Sequence, residues 1–238
     1  MSDCITFTID GAELKAKPGQ SILEAADAAG IYIPRLCKGP GLEPRGSCRV
    51  CTVLVNGRPQ SACTQPATEG AIVENNTPAL LNHRRSLIEM LFVEGNHFCM
   101  FCEKSGNCEL QALGYRFGML APRYPYLFPQ RDVDASHPDV MIERNRCILC
   151  GRCVNASRDV DGKTVFEFVG RGIAKRLAVD AQADLADTTL KSADKAVDVC
   201  PVGCILRKRA GFAVPIGQRK YDHQPIGSDI ESPKAKAR

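Results

Sequence analysis

Three observations predict an α+β chain assembled from small modules, not one large layered domain. The chain opens with apolar and polar residues alternating at period two and then turns helical. It carries 13 cysteines, all but Cys4 and Cys204 falling into three groups along its length. In the last group a C-x-x-C-x-x-C run, Cys147, Cys150 and Cys153, is answered far downstream by Cys200-Pro201.

Ile5 to Ile9 alternates, Asp10-Gly11 suits a type I′ turn, and Ala12 to Lys17 supplies the return strand before Pro18-Gly19. Ser21-Ile-Leu-Glu24 reads as a capping box, the Ala-rich stretch to Ala29 as helix, and Gly30 as its left-handed C-terminal residue. A hairpin followed by a helix looks like the opening of a β-grasp ferredoxin. Cys37, Cys48, Cys51 and Cys63 follow at gaps of ten, two and eleven residues. Loop glycines at 39, 41 and 46 let backbone amides approach the sulfurs. Cys51 leads into Thr-Val-Leu-Val55, Asn56-Gly57 turns the chain, and Arg58 onward returns to Cys63. In this frame four cysteines argue for a 2Fe-2S cluster. Zinc stays open, because the ten-residue gap departs from the plant-type C-x4-C-x2-C spacing. Ala71 to Glu74 supplies a last strand, closing a module over residues 1–78.

Pro78 opens a helix with Leu80, Leu81, Leu87, Ile88, Leu91 and Phe92 on one face and Asn82, Ser86 and Glu89 on the other. Arg84 falls on the apolar side, where it must snorkel or meet a carboxylate; His83 is read as solvated. His97-Phe-Cys99-Met-Phe-Cys102, then Cys108, leaves one position of a four-iron site to fill. A neutral imidazole can coordinate iron in place of a thiolate, which makes His97 the candidate fourth ligand. A three-cysteine cluster with an open position, and His97 as a donor behind a ligand, are the alternatives. Cys108 begins a short helix, and the Pro-rich run from Met119 to Pro138 reads as an ordered connector in which His137 is no ligand. This second segment covers 79–138.

Three thiolates at two-residue gaps with a distant Cys-Pro are a 4Fe-4S signature, whereas structural zinc takes two separated pairs. Cys147, Cys150, Cys153 and Cys200 are therefore the third ligand set, with Cys204, which lacks the following proline, competing for the place of Cys200. A helix through Asp159, strands at Thr164–Phe168 and Ala174–Val179, and a helix from Ser192 to Val199 frame a ferredoxin-like 4Fe-4S domain over 139–211. A long insertion replaces a second cysteine run. Cys4 and Cys204 are expected to be buried thiols. The polar tail, 212–238, is expected to be extended, either disordered or ordered on a partner.

Net charge is +4 and the arginines cluster beside cysteines, so they read as compensation for negative clusters and not as a nucleic-acid surface. No leader precedes the first strand, so the thiols are expected to be reduced and metal-bound in the cytoplasm. The longest apolar run near a helical pattern, Leu87 to Val93, is too short for a transmembrane segment. No dinucleotide or phosphate-binding glycine motif appears. Three clusters without substrate chemistry make an electron relay the simplest reading; a standalone ferredoxin-like carrier and a zinc-stapled scaffold are the alternatives from other classes.

The order of these motifs, ending in Cys-Glu-Leu-Gln, Cys-Ile-Leu-Cys-Gly-Arg-Cys and Cys-Pro-Val-Gly, resembles the N-terminal part of the large iron-sulfur subunit of respiratory NADH dehydrogenase over residues 1–210. One departure is the single residue between His97 and Cys99, where that family usually has three. A short chain with the His-x-Cys variant also resembles the small diaphorase subunit of soluble NAD-reducing nickel-iron hydrogenases. The resemblance implies one 2Fe-2S and two 4Fe-4S clusters on this chain, with FMN, NAD and the nickel-iron centre on partner subunits of a hetero-oligomer. It implies an electron-transfer role between the flavin subunit and the hydrogenase subunits, with no catalytic residue here. A respiratory or formate-linked NADH oxidoreductase is the alternative setting.

Overall fold

The computed structural model describes residues 4–231. The first three residues of the first module and residues 232–238 of the tail lie outside the described residues.

β1 (Ile5–Ile9) and β2 (Ala12–Ala16) pair antiparallel, Ile5 opposite Ala16 and Ile9 opposite Ala12. Their turn has φ of 50° at Asp10 and 80° at Gly11, the two left-handed residues of a type I′ turn. α1 (Ile22–Ala28) starts on the reciprocal Ser21–Glu24 capping box and buries Ile22, Leu23, Ala25 and Ala26. β3 (Thr52–Val55) and β4 (Arg58–Ser61) form a second hairpin through Asn56-Gly57, again with both φ values positive. β5 (Ile72–Glu74) lies between the hairpins, parallel to β1 and antiparallel to β3, so the sheet order is β2-β1-β5-β3-β4. α1 closes this sheet over Phe7, Ile9, Leu14, Val53 and Val73, with Cys51 and Cys63 in the same core. This is the β-grasp arrangement that the opening hairpin and helix predict.

α2 (Pro78–Glu94) starts on Thr77, whose side chain accepts from the Leu80 amide. Its faces differ from the expected ones at two places. Leu81 is 39% exposed, and Glu89 is fully buried, at 0%. Glu89 is buried by the Pro-rich connector, which a helical-wheel argument cannot see. The Leu127 amide donates to the Val93 carbonyl at 3.0 Å, and Arg123 reaches Glu89 at 2.7 Å and Ser86 at 3.0 Å. Arg85 completes the ion pair with Glu89 at 3.0 Å. Burial pushes the Glu89 carboxyl up, but the two guanidiniums outweigh it and hold it below its ordinary value.

Arg84 neither snorkels nor meets a carboxylate. Buried at the head of α2, it donates to the carbonyls of Val50, Thr52 and Asn75 and to the Asn75 side chain, at 3.2, 2.8, 2.8 and 2.7 Å. Burial draws its pKa down to about 10, so it stays charged at neutral pH. It thereby ties α2 to the backbone on both sides of Cys51. Arg84→Met strips these buried carbonyls of their donor and is expected to cost about 3 kcal/mol. A denaturation midpoint unchanged from wild type would show that water replaces the guanidinium.

α3 (Glu109–Arg116) packs on α2. Beyond the connector come β6 (Val133–Asp134), β7 (Val140–Glu143), α4 (Arg152–Asp159), the hairpin β8 (Phe166–Val169) and β9 (Arg176–Val179), α5 (Lys195–Asp198) and β10 (Ile205–Arg207). β10, β7 and β6 make an antiparallel sheet in that order, with α4 packed on α5. α5 is a single turn, shorter than expected, because a turn from Lys191 to Asp194 precedes it. One core joins Leu36 and Val50 of the first module to Ile88, Phe92, Leu113, Ile142, Val154 and Val197.

The tail departs from expectation. Through Glu231 it has no regular element, yet it packs back on this chain. The Tyr221 amide donates to Gly106 O and the Lys220 amide to Asn107 Oδ1, both at 2.9 Å. Arg116 donates to Ile226 O at 2.8 Å and pairs with Glu231, while Ile226 enters the core. Composition hides this, because a few apolar anchors suffice once α3 and the loop before it satisfy the tail backbone. No helix among the described residues is long and apolar enough to cross a membrane.

Candidate iron-sulfur sites

Cys37, Cys48, Cys51 and Cys63 converge at one end of the first sheet, three of them buried and Cys48 half-buried. The Cys37 amide donates to Cys48 Sγ at 3.4 Å. The neighbouring thiols act on one another: interaction with Cys48, then Cys63, pushes Cys37 down, interaction with Cys63 draws Cys51 to about 7, and interaction with Cys37 together with burial pushes Cys48 and Cys63 up. Arg49, at φ 57°, lets the loop double back so that Thr52 bonds to the Arg49 carbonyl through both amide and hydroxyl.

The second group sits where α2 ends and α3 begins. His97, Cys99, Cys102 and Cys108 line one small cavity together with Phe92, Gln111, Arg146 and Gly203. His97 stands edge-on to Phe92, with ring centroids 5.5 Å apart, and its Nε2 is buried without a hydrogen-bond partner. Burial, then the charges of Arg146 and Arg131, draws its pKa down to about 4. The imidazole is therefore neutral at pH 7, with a ring nitrogen left for a ligand. Gly95 admits no side chain, because a Cβ there would lie 2.6 Å from His97 Nε2. Cys108 caps α3, its sulfur accepting from the Gln111 amide at 3.5 Å, and burial raises its pKa to about 12. Burial also raises Cys99 and Cys102. Gln111 in turn accepts from the Gly106 amide at 2.7 Å and fixes the loop before Cys108.

The third cavity is lined by Cys147, Cys150, Cys153 and Cys200, and also by Cys204, among Ile148, Phe168, Leu177 and Val202. Leu149 at φ 52° and Gly151 at φ 75° curl the loop so that all three cysteines of the run face one space, and Gly151 starts α4. Burial raises Cys150 to about 12 and pushes Cys153 well above its ordinary value. The neighbouring Cys204 thiol draws both Cys147 and Cys200 down, Cys200 to about 6. Cys204 is thus a buried thiol as expected, but one that faces the cavity. Cys4 is exposed, against expectation. His137 is no candidate, since its Nε2 meets Leu190 O at 3.1 Å and its Nδ1 accepts from the amides of Asp139 and Val140.

Two features were out of reach of sequence reasoning. Gly203 touches the second cavity, where a Cβ would stand 2.5 Å from Cys102 Sγ. Only its place in Cys-Pro-Val-Gly could have marked it. Arg152, 2% exposed, forks onto the Glu109 carboxylate at 2.7 and 2.6 Å, donates to Lys38 O at 3.2 Å, and packs against Gly39. It joins residues adjoining all three sets.

The donor chemistry fits iron-sulfur ligation: buried or half-buried thiols in fours, or in a three with an orphaned neutral imidazole. Fold and sites together define a multi-cluster iron-sulfur protein of the ferredoxin-like class. Three family models match in the same order, namely "2Fe-2S iron-sulfur cluster binding domain" over 2–78, "NADH-ubiquinone oxidoreductase-G iron-sulfur binding region" over 84–123, and "4Fe-4S single cluster domain" over 140–206. The gamma subunit of the NAD-reducing hydrogenase HoxS of Cupriavidus necator is 44% identical over 93% of this chain and 95% of its own. A chain in a solved structure of an NAD+-reducing [NiFe]-hydrogenase in the H2-reduced state superposes with a TM-score of 0.92, at 49% identity, over 98% of both chains. Longer relatives match only in part. The chain covers 36% of the HndD subunit of the NADP-reducing hydrogenase of Solidesulfovibrio fructosivorans, at 34% identity over 85% of this chain. It covers 29% of the mitochondrial NADH-ubiquinone oxidoreductase 78 kDa subunit of Candida albicans, at 31% identity over 87% of this chain. The chain belongs to the family of gamma subunits of NAD-reducing hydrogenases.

Proposed function

We propose that this chain is the electron-transfer subunit of a cytoplasmic NAD-reducing hydrogenase, linking an FMN- and NAD-binding diaphorase subunit to nickel-iron hydrogenase subunits. Its modules are residues 1–78, 79–138 and 139–211 with the tail 212–238. The ligands are Cys37, Cys48, Cys51 and Cys63 for a 2Fe-2S cluster, and His97, Cys99, Cys102 and Cys108 for a 4Fe-4S cluster. Cys147, Cys150, Cys153 and Cys200 hold a second 4Fe-4S cluster. Bound there, such clusters supply one-electron exchange.

One observation carries the relay. The loop Cys200–Gly203 lines both four-iron cavities, Cys200 and Val202 facing one and Gly203 the other. Pro201 O also accepts from the Glu109 amide at 2.8 Å, which holds the loop against the start of α3. The two cavities therefore stand back to back. Arg146, paired with Glu103 at 2.6 Å, supplies positive charge beside the second cavity. Phe98, Met100 and Phe101 are exposed on the turn that bears Cys99 and Cys102, an apolar patch of the kind a partner subunit covers.

The test is anaerobic purification of the complex held by a tagged copy of this chain. About ten irons with matching sulfide on this chain, and hydrogen-dependent NAD reduction, are expected. Zinc without sulfide would overturn the ligand assignment. NADH oxidation without any reaction with hydrogen would move the relay to another NADH-linked oxidoreductase. A second prediction concerns the imidazole. His97→Cys is expected to keep a four-iron cluster but to lower its potential, since a thiolate adds one negative charge. An EPR spectrum and midpoint identical to wild type would remove His97 from the ligand set.

A further inference from the structure

Two of the thiols that line the second cavity, Cys102 and Cys108, are joined by a loop built of turns alone. Within the loop the Ser105 amide donates to Cys102 O at 3.0 Å and the Asn107 amide to Lys104 O at 2.9 Å. Its remaining ties run to a segment far downstream in the sequence. Gly211 lies against Glu103, so closely that a Cβ there would stand 2.7 Å from Glu103 Cγ, and Glu103 in turn pairs with Arg146 of the cavity wall. Arg219 packs on Gly106, which sits at φ 76° and where a Cβ would collide with the guanidinium. Its Nη1 also reaches the hydroxyl of Ser105, another residue of that wall, at 3.5 Å. The Lys220 amide donates to Asn107 Oδ1 and the Tyr221 amide to Gly106 O, both at 2.9 Å. The segment is itself preformed, because Asp222 accepts from the amides of Gly217 and Arg219 at 2.6 and 2.9 Å and from Arg219 Nη2 at 2.8 Å. A segment already ordered loses little further freedom when it clamps a loop.

Resting on the ligand assignment above, we propose that residues 211–222 are a strap for the second cluster site, in which Arg219, Lys220 and Tyr221 are positioning residues that hold the Cys102–Cys108 loop closed. A cluster leaves when its ligand loop opens, and the frequency of a local opening is set by the contacts that the opening must break. The strap therefore governs retention of this one cluster. Asn107→Ala takes the acceptor from the Lys220 amide, and Arg219→Ala takes the side chain that fills the space over Gly106 while leaving Asp222 its two amide donors.

The experiment compares wild type, Arg219→Ala and Asn107→Ala in the assembled complex under anaerobic, reducing conditions, with bathophenanthroline as the iron trap. Iron release is timed and each cluster's EPR signal is followed. The signal at issue is the four-iron signal that His97→Cys shifts. In each variant it is expected to decay about fivefold faster than in wild type, the effect of losing roughly one hydrogen bond from the closed loop. The other two cluster signals should decay at the wild-type rate. Hydrogen exchange should quicken at residues 103–107 and not at 147–153. An unchanged decay in either variant would overturn the proposal. All three signals decaying faster together would overturn it too, since that is a general loss of stability and not the opening of one loop. Wild-type complex without iron and sulfide on this chain would instead sink the ligand assignment on which the proposal rests.

Discussion

Cys150→Ala is expected to lower the iron on this chain from about ten to about six and to remove one four-iron EPR signal while leaving the other cluster signals in place. Hydrogen-dependent NAD reduction should fall by at least about a hundredfold, the upper end of what losing a mere outer partner of a metal site costs. The expectation follows from the loop. Cys150 is held between two left-handed residues, Leu149 at φ 52° and Gly151 at φ 75°, and only that path aims its sulfur at the cavity shared with Cys147 and Cys153. NADH oxidation at the flavin subunit should survive, which separates a broken relay from a collapsed complex. Ten irons retained in the variant would remove Cys150 from the ligand set.

Much of this site was legible in the sequence, because ligation and turn chemistry are local. Positive φ at Asp10-Gly11 and Asn56-Gly57, the Ser21–Glu24 box and the spacing of Cys147, Cys150 and Cys153 each need only a few neighbouring residues to be recognised. His97 was marked by counting, since three cysteines left one position open, and the structure places it in the cavity of Cys99, Cys102 and Cys108. What escaped is set by closure in three dimensions. Glu89 looked solvated until the connector brought Arg123 onto it. Arg84 looked like a misplaced charge until three backbone carbonyls, of Val50 and Thr52 at the start of the β3–β4 hairpin and of Asn75 after β5, surrounded it. The tail looked unattached because its anchors are backbone groups, paired with Asn107, Gly106 and Arg116. In each case a polar group finds its partner more than eight residues away, beyond any periodicity argument.

Arg152→Met is expected to cost about 2–3 kcal/mol of stability and to loosen the first module against α4. Arg152 is 2% exposed, whereas its partner Glu109 keeps 24% of its side-chain surface, so the carboxylate regains some water when the guanidinium goes. That access is why the cost is set below the 3–5 kcal/mol typical of breaking a fully buried pair. The methionine stem can still pack against Gly39, but Lys38 O loses its donor, as does the forked carboxylate next to Cys108. Among the described residues Asn155 is the remaining side-chain tie of that kind between the first module and α4, accepting from Arg45 at 3.1 Å and donating to Glu43 O at 3.3 Å. The measurement is a double-mutant cycle with Glu109→Gln, read by denaturation of the complex under anaerobic conditions, with hydrogen exchange followed at residues 38–43. The double variant should be little worse than Arg152→Met alone, because both changes remove the same interaction. Exchange should quicken in that loop and not in β1 and β2. An Arg152→Met complex within about 0.5 kcal/mol of wild type, with unchanged exchange, would mean that the shared core around Leu36 and Val50 alone keeps the three sites in register.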